Sequence, residues 1–173
     1  MRTDRGGCFF DTKVIVYTQD QADPLKRAQA LAVMAQAMSA EQFVISTQVM
    51  QEFYNVVLRK RWMTPAQATQ LLVELAQHTV VSASADSVLR GVALQQRHRL
   101  SIWDALVVQA ALDARCEVLY SEDLQAGRRF EAAAGVGPDL QVVNPFTVAA
   151  DVPAVHEQRA TYKAIPTKRR RPQ

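Results

Sequence analysis

Gly7-Cys8-Phe9-Phe10-Asp11-Thr12-Lys13-Val14-Ile15-Val16-Tyr17 is two apolar runs divided by a carboxylate. The first run, Cys8 to Phe10, follows Gly6-Gly7 and is aromatic and short, which predicts a buried parallel strand. Asp11 directly after it would stand at the carboxyl edge of a sheet, where open α/β folds bind ligands. Asp is also a common turn or helix-cap residue, so this position alone does not separate a site from a cap. The rest of the chain has to do that.

Working outward, strands and helices alternate. Asp23-Pro24 reads as a helix start, with apolar positions recurring at helical spacing to about Met38. Gln42 to Ile45 reads as a strand, and Ser46 or Thr47 as the cap of a helix reaching about Lys60. Thr64-Pro65 opens another helix, His78 to Ser82 is β-branched and strand-like, and Ser84 or Ala85 begins a helix to Arg97. Ser101 precedes a helix from Ile102 to about Ala114, and Cys116 to Tyr120 reads as a strand. A short helix over about Leu124 to Phe130, a turn cluster at Gly135 to Pro138 and a last strand, Leu140 to Val143, complete the pattern. This alternation predicts an α/β fold around a parallel sheet of about five strands.

The 173 residues, 49% of them hydrophobic, suit one domain with a proper core. No stretch approaches the roughly 18 unbroken apolar residues of a membrane span. The polar opening residues do not resemble a signal peptide, which predicts a cytoplasmic protein without membrane contact. Cys8 and Cys116 each open an apolar run and have no Cys-x-x-Cys or Cys/His spacing, so both read as small core residues. The formal net charge of +3 is unevenly placed. Residues 151–173 hold six cations (Arg159, Lys163, Lys168, Arg169, Arg170, Arg171) against two acids (Asp151, Glu157), which leaves the preceding residues slightly acidic. A high pI here therefore does not make the body of the chain a nucleic-acid binder.

Four acids fall at element ends: Asp11 after the first strand, Glu52 two turns into the helix after the second, Asp104 in a helix's first turn, and Asp123 just past Tyr120. Parallel topology sends those ends to one rim. Each has a plainer use. Ser101-Ile102-Trp103-Asp104 fits a capping box, Glu52 fits a solvated helix face, and Asp123 fits a cap, with Glu122 its rival for any function. Carboxylates gathered together repel unless a cation neutralises them, and an oxygen-only set favours Mg²⁺ or Mn²⁺. Such a set suits hydrolysis of a phosphodiester. No Walker-type glycine loop is present, and His78, His98 and His156 show no spacing to a nucleophile.

These residues resemble the PIN-domain family, specifically the VapC-like toxin ribonucleases of type II toxin–antitoxin systems. The matching segments are residues 9–12 with 14–17, 45–53, 101–106, and 119–125 with Gly127, in family order over about residues 8–146. The resemblance implies a three-layer α/β/α fold, a PIN-like domain over 1–146 and a basic C-terminal tail over 147–173. It implies a Mg²⁺- or Mn²⁺-dependent endoribonuclease, a cognate antitoxin, and a homodimer. By motif match Asp11, Glu52, Asp104 and Asp123 are the catalytic and metal-binding acids. Thr12 and Ser121 match polar neighbours whose hydroxyls would orient a carboxylate or water, and Gln48 shares the face of Glu52.

Lys13 departs from the family, which more often has Asn or Ser there. Its ammonium could pair with the acids, point outward, or contact a substrate phosphate. The alternative function follows from it: a catalytically weak or inactive PIN-like module that binds RNA or protein. Trp103 beside Asp104 is expected to be buried packing rather than a base-stacking platform. A phosphoacceptor receiver domain also sets acids at strand ends, but it needs a Lys after its last strand, and residues 140–146 contain none.

Overall fold

The computed structural model describes residues 6–133 and 137–147. All but the first residue of the expected basic tail, half of the turn cluster and the first five residues lie outside that range. The strands are β1 (Gly7–Phe10), β2 (Phe43–Ser46), β3 (Thr79–Val81), β4 (Cys116–Tyr120), β5 (Arg129–Phe130) and β6 (Leu140–Val143). The helices are α1 (Thr12–Tyr17), α2 (Pro24–Ser39), α3 (Thr47–Arg59), α4 (Pro65–Leu75), α5 (Ala85–His98) and α6 (Ile102–Asp113).

Local chemistry sets most boundaries. The Asp23 side chain accepts from Lys26 N at 3.0 Å, with Pro24 at the first helical position. Ser46 accepts from Val49 N at 3.2 Å. Thr64 and Gln67 form a reciprocal capping box before α4. Five strands are parallel, in the order β3-β2-β1-β4-β6, and β5 adds an antiparallel edge. The expected helix over Leu124 to Phe130 does not form. Gly127 takes φ +81°, its N–H donates to Val142 O at 2.9 Å, and Val142 N donates to Arg128 O at 2.8 Å. Pairing with β6 outcompetes the local helical preference, and only a glycine accepts that φ without strain.

The sheet lies between two helical layers, a three-layer α/β/α arrangement. In one group α1 packs on α2 and α3, and α3 on α4; in the other α5 packs on α6, which also touches β2 and β4. Phe9, Phe10, Phe43, Phe53, Ile45 and Leu119 are fully buried. Phe10 stacks on Phe43 at 4.7 Å and on Tyr120 at 4.9 Å, which locks three neighbouring strands together. Cys116 is buried and Cys8 half-buried, in keeping with small core residues. Trp103 differs from expectation: it is 63% exposed, because its place in the first turn of α6 faces away from the sheet-packed stripe of Ala105, Val108 and Ala111. Among the described residues no helix is long and apolar enough to cross a membrane.

Candidate active site

Parallel register brings the ends of β1, β2 and β4 to one edge, with Phe9 opposite both Val44 and Leu119, and Phe10 opposite Tyr120. The next residue in each strand leads into the site. Asp11 is at once a cap and a site residue: its carboxylate accepts from Thr12 N at 2.7 Å at the start of α1, and from Ser121 Oγ at 2.7 Å. Its own N–H donates to Tyr120 O at 3.0 Å, which ties the end of β1 to β4. Asp11 is buried, and burial pushes its carboxyl up to about 6, with the charges of Asp123 and Glu52 adding to the rise. The hydrogen bonds from Ser121 and Thr12 work the other way without cancelling it.

Ser121 is the hub of this edge. Fully buried, its hydroxyl donates to Asp11 and accepts from Asp123 N at 3.2 Å and Leu124 N at 3.4 Å. Its backbone N–H donates to Val143 O at 3.0 Å, so β6 holds the hub in place. Glu52 reaches the same region from α3. Thr12 Oγ1 donates to its Oε2 at 2.6 Å and Gln48 Nε2 to its Oε1 at 2.9 Å, so neutral donors fix both oxygens. Lys13 forms an ion pair with Asp123, and that hydrogen bond raises its ammonium above the ordinary lysine range.

Asp104 is held differently. It lies in the first turn of α6, which ends in a tight turn at Arg115 that leads into β4, so the start of α6 lies toward the carboxyl edge of that strand. There the Ser101 hydroxyl accepts from Asp104 N at 3.1 Å and donates to its carboxylate at 2.7 Å. Asp104 is not among the charges that act on Asp11. The structure thus joins Asp11, Glu52 and Asp123 in one hydrogen-bonded network and engages Asp104 with its own helix start. Among the described residues no three His, Cys, Asp or Glu side chains are arranged to hold a metal ion as they stand.

Glu122 points elsewhere. Lys26 pairs with it and Tyr17 OH donates to it at 2.7 Å, while Lys26 also lies 4.5 Å above the Tyr17 ring and 5.2 Å above the Phe146 ring. Burial would raise the Glu122 carboxyl, but Lys26 and Tyr17 hold it below its ordinary value. Sequence patterning does not show this knot, because its members are joined across 96 and 105 positions. The two adjacent acids are thus engaged differently: Glu122 by Lys26 and Tyr17, and Asp123 by Lys13, with its charge acting on Asp11.

In chemical terms the edge offers only oxygen donors, and its innermost carboxylate is destabilised as an anion. Such a set fits a hard divalent cation, which would restore the charge that burial and mutual repulsion disfavour.

Comparison with known proteins agrees with this fold. The fold matches a toxin–antitoxin complex from Klebsiella pneumoniae with a TM-score of 0.54, at 24% identity over 82% of this chain and 100% of that one. It also matches VapC20 of Mycobacterium tuberculosis, a toxin that cleaves the sarcin–ricin loop, with a TM-score of 0.50, at 17% identity over 68% of this chain and 90% of that one. No curated protein matches the chain at a significant level. The PIN domain model matches residues 8–135, a span that runs from β1 past β5 and contains Asp11, Glu52, Asp104 and Asp123, and the chain belongs to the PIN domain family.

Proposed function

We propose that this protein is a metal-dependent endoribonuclease, the toxin of a toxin–antitoxin pair. The single observation that carries the reading is Asp11, a buried carboxylate at the sheet edge with Glu52 and Asp123 close enough to disfavour its charge. A fold spends stability on such a group where a cation is to bind. Asp11, Glu52, Asp104 and Asp123 would hold Mg²⁺ or Mn²⁺. When bound, that ion would supply positive charge to phosphate oxygens and make water acidic enough to serve as nucleophile.

The protein's own groups prepare this chemistry. Ser121 and the Thr12 amide orient Asp11, while Thr12 Oγ1 and Gln48 fix the rotamer of Glu52. The RNA substrate, a cognate antitoxin, a homodimeric assembly and a cytoplasmic setting belong to this proposal. So does the division into a PIN-like body, residues 1–146, and a basic tail, 147–173. The two solved structures named above are a toxin–antitoxin complex and a toxin, which supports the partner.

RNA cleavage with Mg²⁺ or Mn²⁺ tests the proposal. Asp11→Ala and Asp104→Ala are each expected to lower the rate beyond the roughly 10–100-fold typical of losing a residue that merely orients a ligand. Cleavage that persists equally in wild type and both variants would sink it. A second reading, a non-catalytic binding module, is favoured by the Lys13–Asp123 pair. It predicts that Mn²⁺ binding, where present, does not depend on Asp11 or Glu52.

A further inference from the structure

The charges along the carboxyl edge are not compensated evenly. Glu122 is paired with Lys26, and Asp123 with Lys13. Lys13 acts on Asp123 and Glu122, and no cation is among the groups acting on Asp11, whose charged neighbours are both acids. Glu52 is held by Thr12 and Gln48, which are neutral. Among the described residues Asp11, Glu52 and Asp104 have no cation partner, so of the four acids proposed to hold the ion only Asp123 is compensated from within the chain.

We propose that Lys13 is a resident cation of this site, neutralising Asp123 from within the chain and so setting how strongly the remaining carboxylates attract a divalent ion. The inference rests on the metal-dependent reading above and adds to it the residue that tunes its affinity. Lys13 is placed for this role by the start of α1. Asp11 caps the helix, Thr12 turns toward Glu52, and the next side chain projects over the loop that carries Asp123. A neutral residue at position 13 would leave all four carboxylates uncompensated. Such a site binds a divalent ion more tightly or recruits another, because each uncompensated carboxylate adds attraction.

Lys13 has an exposed side chain, so replacing it leaves the core intact. The experiment is Mn²⁺ binding by the full chain, followed through the electron paramagnetic resonance signal of free Mn²⁺ at low ionic strength. Wild type is expected to bind one Mn²⁺, lost in Asp11→Asn. Lys13→Gln is expected to bind Mn²⁺ about fivefold more tightly, the scale of a solvent-screened charge pair, or to take up a second ion. Lys13→Arg should restore wild-type binding, and Lys13→Gln combined with Asp123→Asn should lose the gain, since the effect passes through Asp123. Saturable isotherms that coincide for wild type and Lys13→Gln overturn the role of Lys13, as does a gain that survives removal of Asp123. The absence of Mn²⁺ uptake in both proteins overturns the metal reading itself and is a different result from coincident saturable curves.

Discussion

Asp11 shows that a cap and a site need not be alternatives, since one carboxylate closes the first turn of α1 and faces two other acids. That double use has a thermodynamic consequence. The carboxyl rises from 3.8 to about 6 on folding, so its contribution to stability is fully present below the unfolded value and is lost as pH climbs through the folded one. Above about pH 6 the metal-free protein carries a buried charge that it would rather not hold. Asp11→Asn keeps one oxygen to accept from Thr12 N, turns its NH2 toward Ser121, whose hydroxyl can accept, and removes the charge. It is expected to stabilise the metal-free protein by about 1–3 kcal/mol at pH 7, with the gain fading toward pH 4. Thermal melts of both proteins at the two pH values check this, and added Mn²⁺ should raise the Tm of the wild type alone. Equal melting temperatures at pH 7 would mean that Asp11 is not the strained anion its surroundings imply. The four acids themselves were legible in the sequence, because their spacing against the strand ends was visible. Their partners were not. Lys13 meets Asp123 across 110 positions, and only the folded sheet edge brings the two together.

Helix starts in this chain are written in local chemistry, and those of α2 to α6 fall within about a residue of the expected ones, whereas α1, which takes in the apolar run Val14 to Tyr17, is not among the expected helices. Asp23-Pro24, Ser46, Thr64-Pro65, Ser84 and Ser101 each place a side-chain acceptor where the first amide donors need one. The failures were non-local. The segment after Leu124 has helical composition but pairs with β6, and the exposure of Trp103 depends on which way α6 faces once packed. Helix ends are written less well. Glu41, Arg61, Arg99 and Arg115 all follow or end helices at positive φ, where glycine is the usual residue. Arg99 terminates α5 at φ 54°, ψ 45°, where Leu100 N donates to Gln95 O at 3.2 Å, and its side chain is exposed. Arg99→Gly keeps that backbone bond and removes the Cβ penalty, at the cost of one charge near the negative helix end. The net effect is expected to be a stabilisation of about 0.5–1 kcal/mol, read as a higher midpoint in urea with an unchanged slope. A lower midpoint would show that the Arg99 charge matters more to α5 than its backbone does.

At the scale of the whole molecule, charge is divided between the body and the last residues. The chain carries +3, yet residues 151–173 alone contain six cations and two acids, so everything before them is slightly negative. A slightly acidic body with an acidic site edge does not attract RNA from a distance. If the body cleaves RNA, the long-range attraction has to come from the terminal Lys168-Arg169-Arg170-Arg171 and its neighbours. Each phosphate contact on a single strand adds roughly 0.7 to the slope of log K against log salt. Six cations in contact would then contribute about 4 to that slope. Deleting residues 151–173 is expected to remove most of the salt dependence of RNA binding, measured between about 50 and 200 mM salt. Parallel salt plots for the full and shortened chains would assign phosphate attraction to the body. The cations Arg59, Lys60 and Arg61 at the end of α3 would then be the next to replace, since Lys60 already lies 4.3 Å over the Trp62 ring as a ready-made cation and stacking pair.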